Sequence, residues 1–229
     1  MQLLRDLFQL FYPDLCVNCS RNLNSGETVL CLFCYRHLPI ITGPFYSNQI
    51  RASFYGRIEV TNVTAFVLYQ KLGMGKTLIH HLKYKNRQDI GTYIGHLLGQ
   101  QLAQQPEFNS IDYIVPVPLH ASKLRNRGYN QLTAFGTILS TYLHATYQPD
   151  ILKKISNTTT QTLKKRFERF SDHRSKFHLT NLHIFEHKHI LLIDDVITTG
   201  ATMASCCHEL FKTKHITVSI VSMAYTEKN

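Results

Sequence analysis

Residues 189–202 carry the densest chemistry in the chain. The apolar run Ile190, Leu191, Leu192, Ile193 meets two carboxylates, Asp194 and Asp195. Thr198, Thr199, Gly200, Ala201 and Thr202 follow in a short loop, and a helical pattern begins after them. Adjacent carboxylates at a strand end repel each other unless a cation or a polyol shares them. Small residues let backbone N–H groups converge, the threonines add hydroxyls, and a helix N-terminus favours a phosphate. Together these groups suit a sugar phosphate, with the diol on the acids and the phosphate in the loop. For the two aspartates alone, an Asp-capped turn would explain as much.

A second cluster lies near the start. Cys16 and Cys19 form one CxxC pair and Cys31 and Cys34 another, with eleven residues between them. Two such knuckles set four thiolates at the corners of a tetrahedron, which suits zinc at about 2.3 Å. Two disulfides or an iron–sulfur cluster are the alternatives. Four sulfur ligands leave no position for water, so the expected role is structural and not catalytic. Cys206 and Cys207, beside Met203, Leu210 and Phe211, read as buried apolar side chains.

The chain has 229 residues, 44% hydrophobic and 17% charged, enough to bury an ordinary core, so disorder is not expected. Its net charge of +10 favours an anionic partner. Residues 151–178 hold eight cations against Glu168 and Asp172, and residues 119–130 add Lys123, Arg125 and Arg127 unopposed. Nearly all of the excess is therefore local.

These residues need elements to position them. Residues 63–69 read as a strand, and two helices follow it at the periodicities of Leu78, Ile79 and Leu82 and of Ile90, Ile94, Leu97, Leu98 and Leu102. Strands are expected at 111–117, 189–193 and 215–224, with helices over 132–143 and 202–211. Strands apolar on both faces that alternate with helices indicate a parallel α/β sheet, whose ligands bind beyond the carboxyl ends of the strands. Residues 45–56 read as a connector. Gly75, Lys76 and Thr77 look like the end of a nucleotide-binding P-loop, but Gln70 stands where that motif needs glycine, so a solvent-facing helix start is expected instead. At residues 1–15, Leu3, Leu4, Leu7, Phe8 and Phe11 share a helical face, expected to pack as a short helix, with membrane-surface contact as the alternative. No run is long enough for a membrane span.

Residues 190–202 resemble the phosphoribosyl-pyrophosphate (PRPP) motif of type I phosphoribosyltransferases. More narrowly, Val115, Pro116, Val117, Pro118, Leu119 and His120, followed by Arg127, Gly128, Tyr129, Asn130 and Gln131, are similar to the ComF family of bacterial competence proteins. So are the paired CxxC motifs, Leu82-Lys83-Tyr84, and Gln161-Thr162-Leu163 with Glu168-Arg169. The resemblance implies a zinc ribbon over residues 1–45 and a type I phosphoribosyltransferase domain over 46–229. It implies that Asp194 and Asp195 hold the ribose hydroxyls directly or through Mg²⁺, and that Thr198, Thr199, Gly200, Ala201 and Thr202 hold the 5-phosphate. Pyrophosphate would fall to the loop over 118–127, with Lys123, Arg125 and Arg127, and residues 161–174 would cover the reaction centre.

Two functions follow from the resemblance. One is handling of single-stranded DNA during natural transformation, in the cytoplasm and at the inner face of the membrane through partners such as the competence helicase. Lys164, Lys165, Arg166 and Arg169, interleaved with Phe167, Phe170 and Phe177, would then meet phosphates and bases. The zinc module would serve as an adaptor for such a partner. The alternative is an active transferase, in which a nitrogen nucleophile attacks C1 of PRPP as Mg-pyrophosphate leaves. The sequence offers no acceptor site for it, and His120 is the one histidine beside the pyrophosphate segment.

Overall fold

The computed structural model describes residues 13–154, 177–181 and 183–227. Its centre is a five-stranded sheet built from β1 (Val63–Leu68), β2 (Tyr113–Pro116), β3 (Thr146–Tyr147), β6 (His189–Ile197) and β7 (Thr217–Tyr225). The spatial order is β1-β7-β6-β2-β3, and every pair is parallel. A separate antiparallel pair joins β4 (Leu152–Lys154) to β5 (Phe177–Leu179). The helices are α1 (Leu32–Arg36), α2 (Pro44–Ala52), α3 (Met74–Tyr84), α4 (Asp89–Ala103), α5 (Ala121–Arg127), α6 (Leu132–Leu143) and α7 (Ala201–Leu210). The parallel α/β sheet is the one expected.

β6 and β7 lie at the centre and are buried on both faces, which accounts for their nearly continuous apolar sequence. α4 presents Gly91, Gly95 and Gly99 to α6. A Cβ on Gly95 would stand 2.9 Å from that of Ile138, so the missing side chains allow the two helices their close approach. The chain runs outward from β2 to β3 and then returns to place β6 on the other side of β2. The order of strands reverses between β2 and β6, and in open α/β sheets ligands bind outside the carboxyl ends of the strands at such a point.

Four local differences from the sequence reading have physical causes. Residues 45–56 are largely helical: Pro44 starts α2 and Ile50 is its one buried residue, so no apolar stripe announces it. Residues 121–127 form a helix with no buried residue, for the same reason. β6 continues four residues past the expected end, because Asp194, Val196 and Ile197 stay paired with β7. Gly75 does sit in the first turn of α3 but is buried, and a Cβ there would collide with the Leu68 carbonyl oxygen.

Candidate functional site

The four cysteines of the N-terminal region converge. Their Sγ atoms all lie within 4.8 Å of one another, and those of Cys19 and Cys31 are 3.7 Å apart. A tetrahedron with ~2.3 Å bonds has an edge of about 3.8 Å, so the spacing fits a four-coordinate metal site. All four thiols are free of disulfides. Burial pushes the Cys16 thiol up, but hydrogen bonds from the backbones of Cys31, Cys19 and Asn18 outweigh it and draw it down to about 6. Burial pushes the Cys34 thiol the other way, up to about 12, so it is the convergence of the four Sγ atoms that suits a metal ion. Asn18 Nδ2 donates to Cys34 Sγ at 3.4 Å.

The module is fastened to the sheet by main chain. Ile41 N donates to the Phe66 carbonyl at 2.8 Å and Leu68 N to the Pro39 carbonyl at 3.0 Å, so residues 39–41 pair antiparallel with β1. A single core of buried apolar side chains runs from Cys16 through to Tyr225. Position 45, where the sequence places the end of the first module, lies inside α2.

At the carboxyl end of β6 the two aspartates part company. Successive side chains of a strand leave opposite faces. Asp195, on the face of Ile193 and α6, accepts from Lys83 Nζ at 2.6 Å and from Gln131 Nε2 at 2.7 Å. It is 7% exposed, and both its oxygens are engaged by the protein itself. Asp194 lies toward α7, near enough to Cys206 to add to the effect of burial in pushing that thiol up. Its Oδ1 accepts from the Asp195 backbone N–H at 2.8 Å. Burial first, and the Asp195 charge second, push the Asp194 carboxyl up to about 8. A cation or a set of hydroxyls would relieve that cost. The residues therefore fit Mg²⁺ arriving with its phosphate ligand and held through one carboxylate, in the manner usual for that ion.

The loop after β6 opens onto α7, a ten-residue helix. Thr198, Thr199, Ala201 and Thr202 are exposed, and Gly200 is buried in the left-handed conformation with φ +73°. A Cβ on Gly200 would stand 2.9 Å from the Phe54 ring, so both its backbone and its surroundings call for glycine. Arg57 Nη1 donates to the Thr199 carbonyl at 2.8 Å and holds the loop from outside. Arg57 and Phe54 are site residues that the sequence reading missed: Phe54 lies in the stretch taken for a connector, and Arg57 follows directly after it with no motif to mark it.

The structure groups the expected pyrophosphate cations differently. Lys123 and Arg125 project from the exposed face of α5. Arg127 is held by Gln131 Oε1 at 2.8 Å and lies 5.3 Å over the Tyr84 ring. His120 caps α5: its Nδ1 accepts from Ser122 N at 3.2 Å and pairs with Ser122 Oγ at 2.7 Å, so the ring is occupied in the local turn. Phe177 is 3% exposed with Lys154 Nζ 5.7 Å over its ring, which removes it from the aromatics expected to stack on bases. Lys164, Lys165, Arg166 and Arg169, with Phe167, Phe170, the expected cover at 161–174 and the N-terminal apolar face, lie outside the described residues. Lys83 and Gln131 were not singled out as site residues, yet each stands within a motif that carried the family resemblance.

No protein-family profile matches the chain. It is 28% identical over 152 residues to the DNA utilization protein YhgH of Escherichia coli O157:H7, spanning 65% of this chain and 66% of that one. It is 25% identical over 205 residues to competence protein F of Haemophilus influenzae, covering 84% and 89% respectively. These names agree with the resemblance found in the sequence. Among solved structures it is similar to the glutamine PRPP amidotransferase of B. subtilis in complex with ADP and GMP, with 18% identity and a TM-score of 0.41 over 62% of this chain and 30% of that one. A hypoxanthine phosphoribosyltransferase of Staphylococcus aureus gives 19% identity and a TM-score of 0.36 over 62% and 69%. Among the described residues no helix is long and apolar enough to cross a membrane.

Proposed function

We propose that the protein acts in DNA uptake and use, handling single-stranded DNA, and that the carboxyl end of β6 binds a 5-phosphoribosyl ligand such as PRPP with Mg²⁺. The relatives' names, a DNA utilization protein and a competence protein, support a role in DNA uptake and use, and the single strand is the finer reading. The observation that carries the second is Asp194, a carboxyl held at a cost beside an exposed threonine loop that opens onto the N-terminus of α7. In this reading the loop takes the 5-phosphate, Asp194 takes the ribose hydroxyls or the ion, and Asp195 keeps β6 in register with α3 and α6. Arg125 on α5 supplies charge for the pyrophosphate end. The four cysteines hold zinc, which gives the first module its shape.

Calorimetric titration of PRPP with Mg²⁺ into the wild type and an Asp194→Asn variant tests the site. Binding by the wild type that weakens at least tenfold in the variant is expected. Equal binding by both, or none by the wild type, would reject it. Pyrophosphate appearing in the same samples on addition of a nitrogenous base would bring the transferase alternative forward.

A further inference from the structure

Where α3 ends and α5 turns into α6, a cavity of about 470 Å³ opens that the phosphoribosyl site does not use. Lys83, Tyr84, Asn86, Lys123, Asn126 and Arg127 line it with the Tyr129 ring, and no acidic residue takes part among the described residues. Lys83 is already paired with Asp195, so Lys123 and Arg127 supply its unspent positive charge. The Tyr84 ring is 65% exposed although it belongs to a helix whose other face is packed, and Arg127 rests 5.3 Å from its centre. Arg127 is fixed in turn by Gln131, and the Tyr129 hydroxyl donates to the Leu82 carbonyl. The wall is thus built before anything enters. A flat aromatic surface, two cations and two amides within a space of this size match the needs of one nucleotide.

We infer that this cavity holds one nucleotide of a single strand of DNA, its base against Tyr84 and its phosphate between Lys123 and Arg127. The inference rests on the DNA-handling reading above and gives it a location. Stacking on tyrosine tolerates any base, since each has a π face, and phosphate contacts make the affinity fall with salt. Lys83 touches both this cavity and Asp195, so a strand here would lie next to the phosphoribosyl site.

The test is fluorescence anisotropy of a labelled oligothymidylate with the full-length, metal-loaded protein at low salt. Tyr84→Ala should weaken binding roughly 5- to 100-fold, the range for loss of one stacked base. Tyr84→Phe should bind as the wild type does. An abasic strand of equal length should bind the wild type no better than the thymidylate binds Tyr84→Ala. Because Tyr84 is exposed, its variants should keep their melting midpoint and metal content. Undiminished binding by Tyr84→Ala, or full binding of the abasic strand, would overturn the cavity while leaving the DNA reading in place. Failure of the wild type to bind any strand would remove both. Free thymidine monophosphate binding as tightly as the strand would make this a mononucleotide site and reject the strand as its occupant.

Discussion

The cysteine cluster and the carboxyl end of β6 are built on opposite plans. The cluster draws its four ligands from one short stretch, residues 16–34, and turns them all on a single point. The end of β6 is assembled from segments remote in sequence: Asp195 meets Lys83 across 112 positions and Gln131 across 64, and Arg57 reaches Thr199 across 142. The cluster has a full set of ligands for one metal ion. The strand end keeps one carboxyl at a cost and leaves a loop open to solvent. A closed site gains stability from what it binds, whereas an open one gives up stability until its ligand arrives.

The contrast can be broken most forcefully at the cluster. Cys16→Ser, or prolonged chelation, should release one zinc per chain and lower the melting midpoint by more than about 10 °C. Metal analysis beside a thermal scan checks it, and an unchanged midpoint would show that the cluster is not what shapes the module. The next effect belongs to the strand end. Lys83→Met leaves Asp195 buried without its cation and should cost about 2–4 kcal/mol in urea unfolding. Adding Asp195→Asn should recover much of that loss, and strict additivity of the two substitutions would mean the pair is not coupled.

Gly200→Ala should cost about 2–3 kcal/mol, from its left-handed backbone and the Phe54 ring together, and should abolish ribose 5-phosphate binding. Retention of both stability and binding would mean that the loop is not the phosphate cradle. A pH-dependent effect sharpens the contrast further. The folded state raises the Asp194 carboxyl to about 8 and so prefers it neutral. Its contribution is therefore whole at low pH and is lost as pH rises from about 4 through about 8. Asp194→Asn removes that loss, so the unliganded variant should be more stable than the wild type at pH 8.5 and little different from it at pH 4. Melting curves at the two pH values decide it, and a gain larger at pH 4 would reverse the sign of the argument.

These plans also decide what could be read from sequence. Spacing suffices where ligands are neighbours in the chain, so the four cysteines and the order from acids to loop to helix were legible. The partners of Asp195 were not, because periodicity reports which face of an element is buried and is silent on what it meets. Strand alternation was available as a signal: two adjacent residues of a paired strand cannot share one face, so Asp194 and Asp195 had to divide their roles. α2 and α5 escaped because helices with one buried residue or none leave no apolar stripe. β3 contributes only two residues, fewer than any pattern can register. Phe177 stands among charged neighbours in sequence, but with Leu179 it forms the buried face of β5.

The main-chain bonds between residues 39–41 and β1 have a consequence for the protein's behaviour in concentrated solution. β1 is the outer strand on its side of the sheet, and its Val63, Ala65, Phe66 and Val67 are buried. An uncovered strand of that composition is a template on which another chain can add itself. Residues 39–41 therefore cover an edge that would otherwise be open to self-association. Light scattering should rise after chelation at temperatures well below the melting of the sheet. Addition of zinc before aggregates form should prevent the rise.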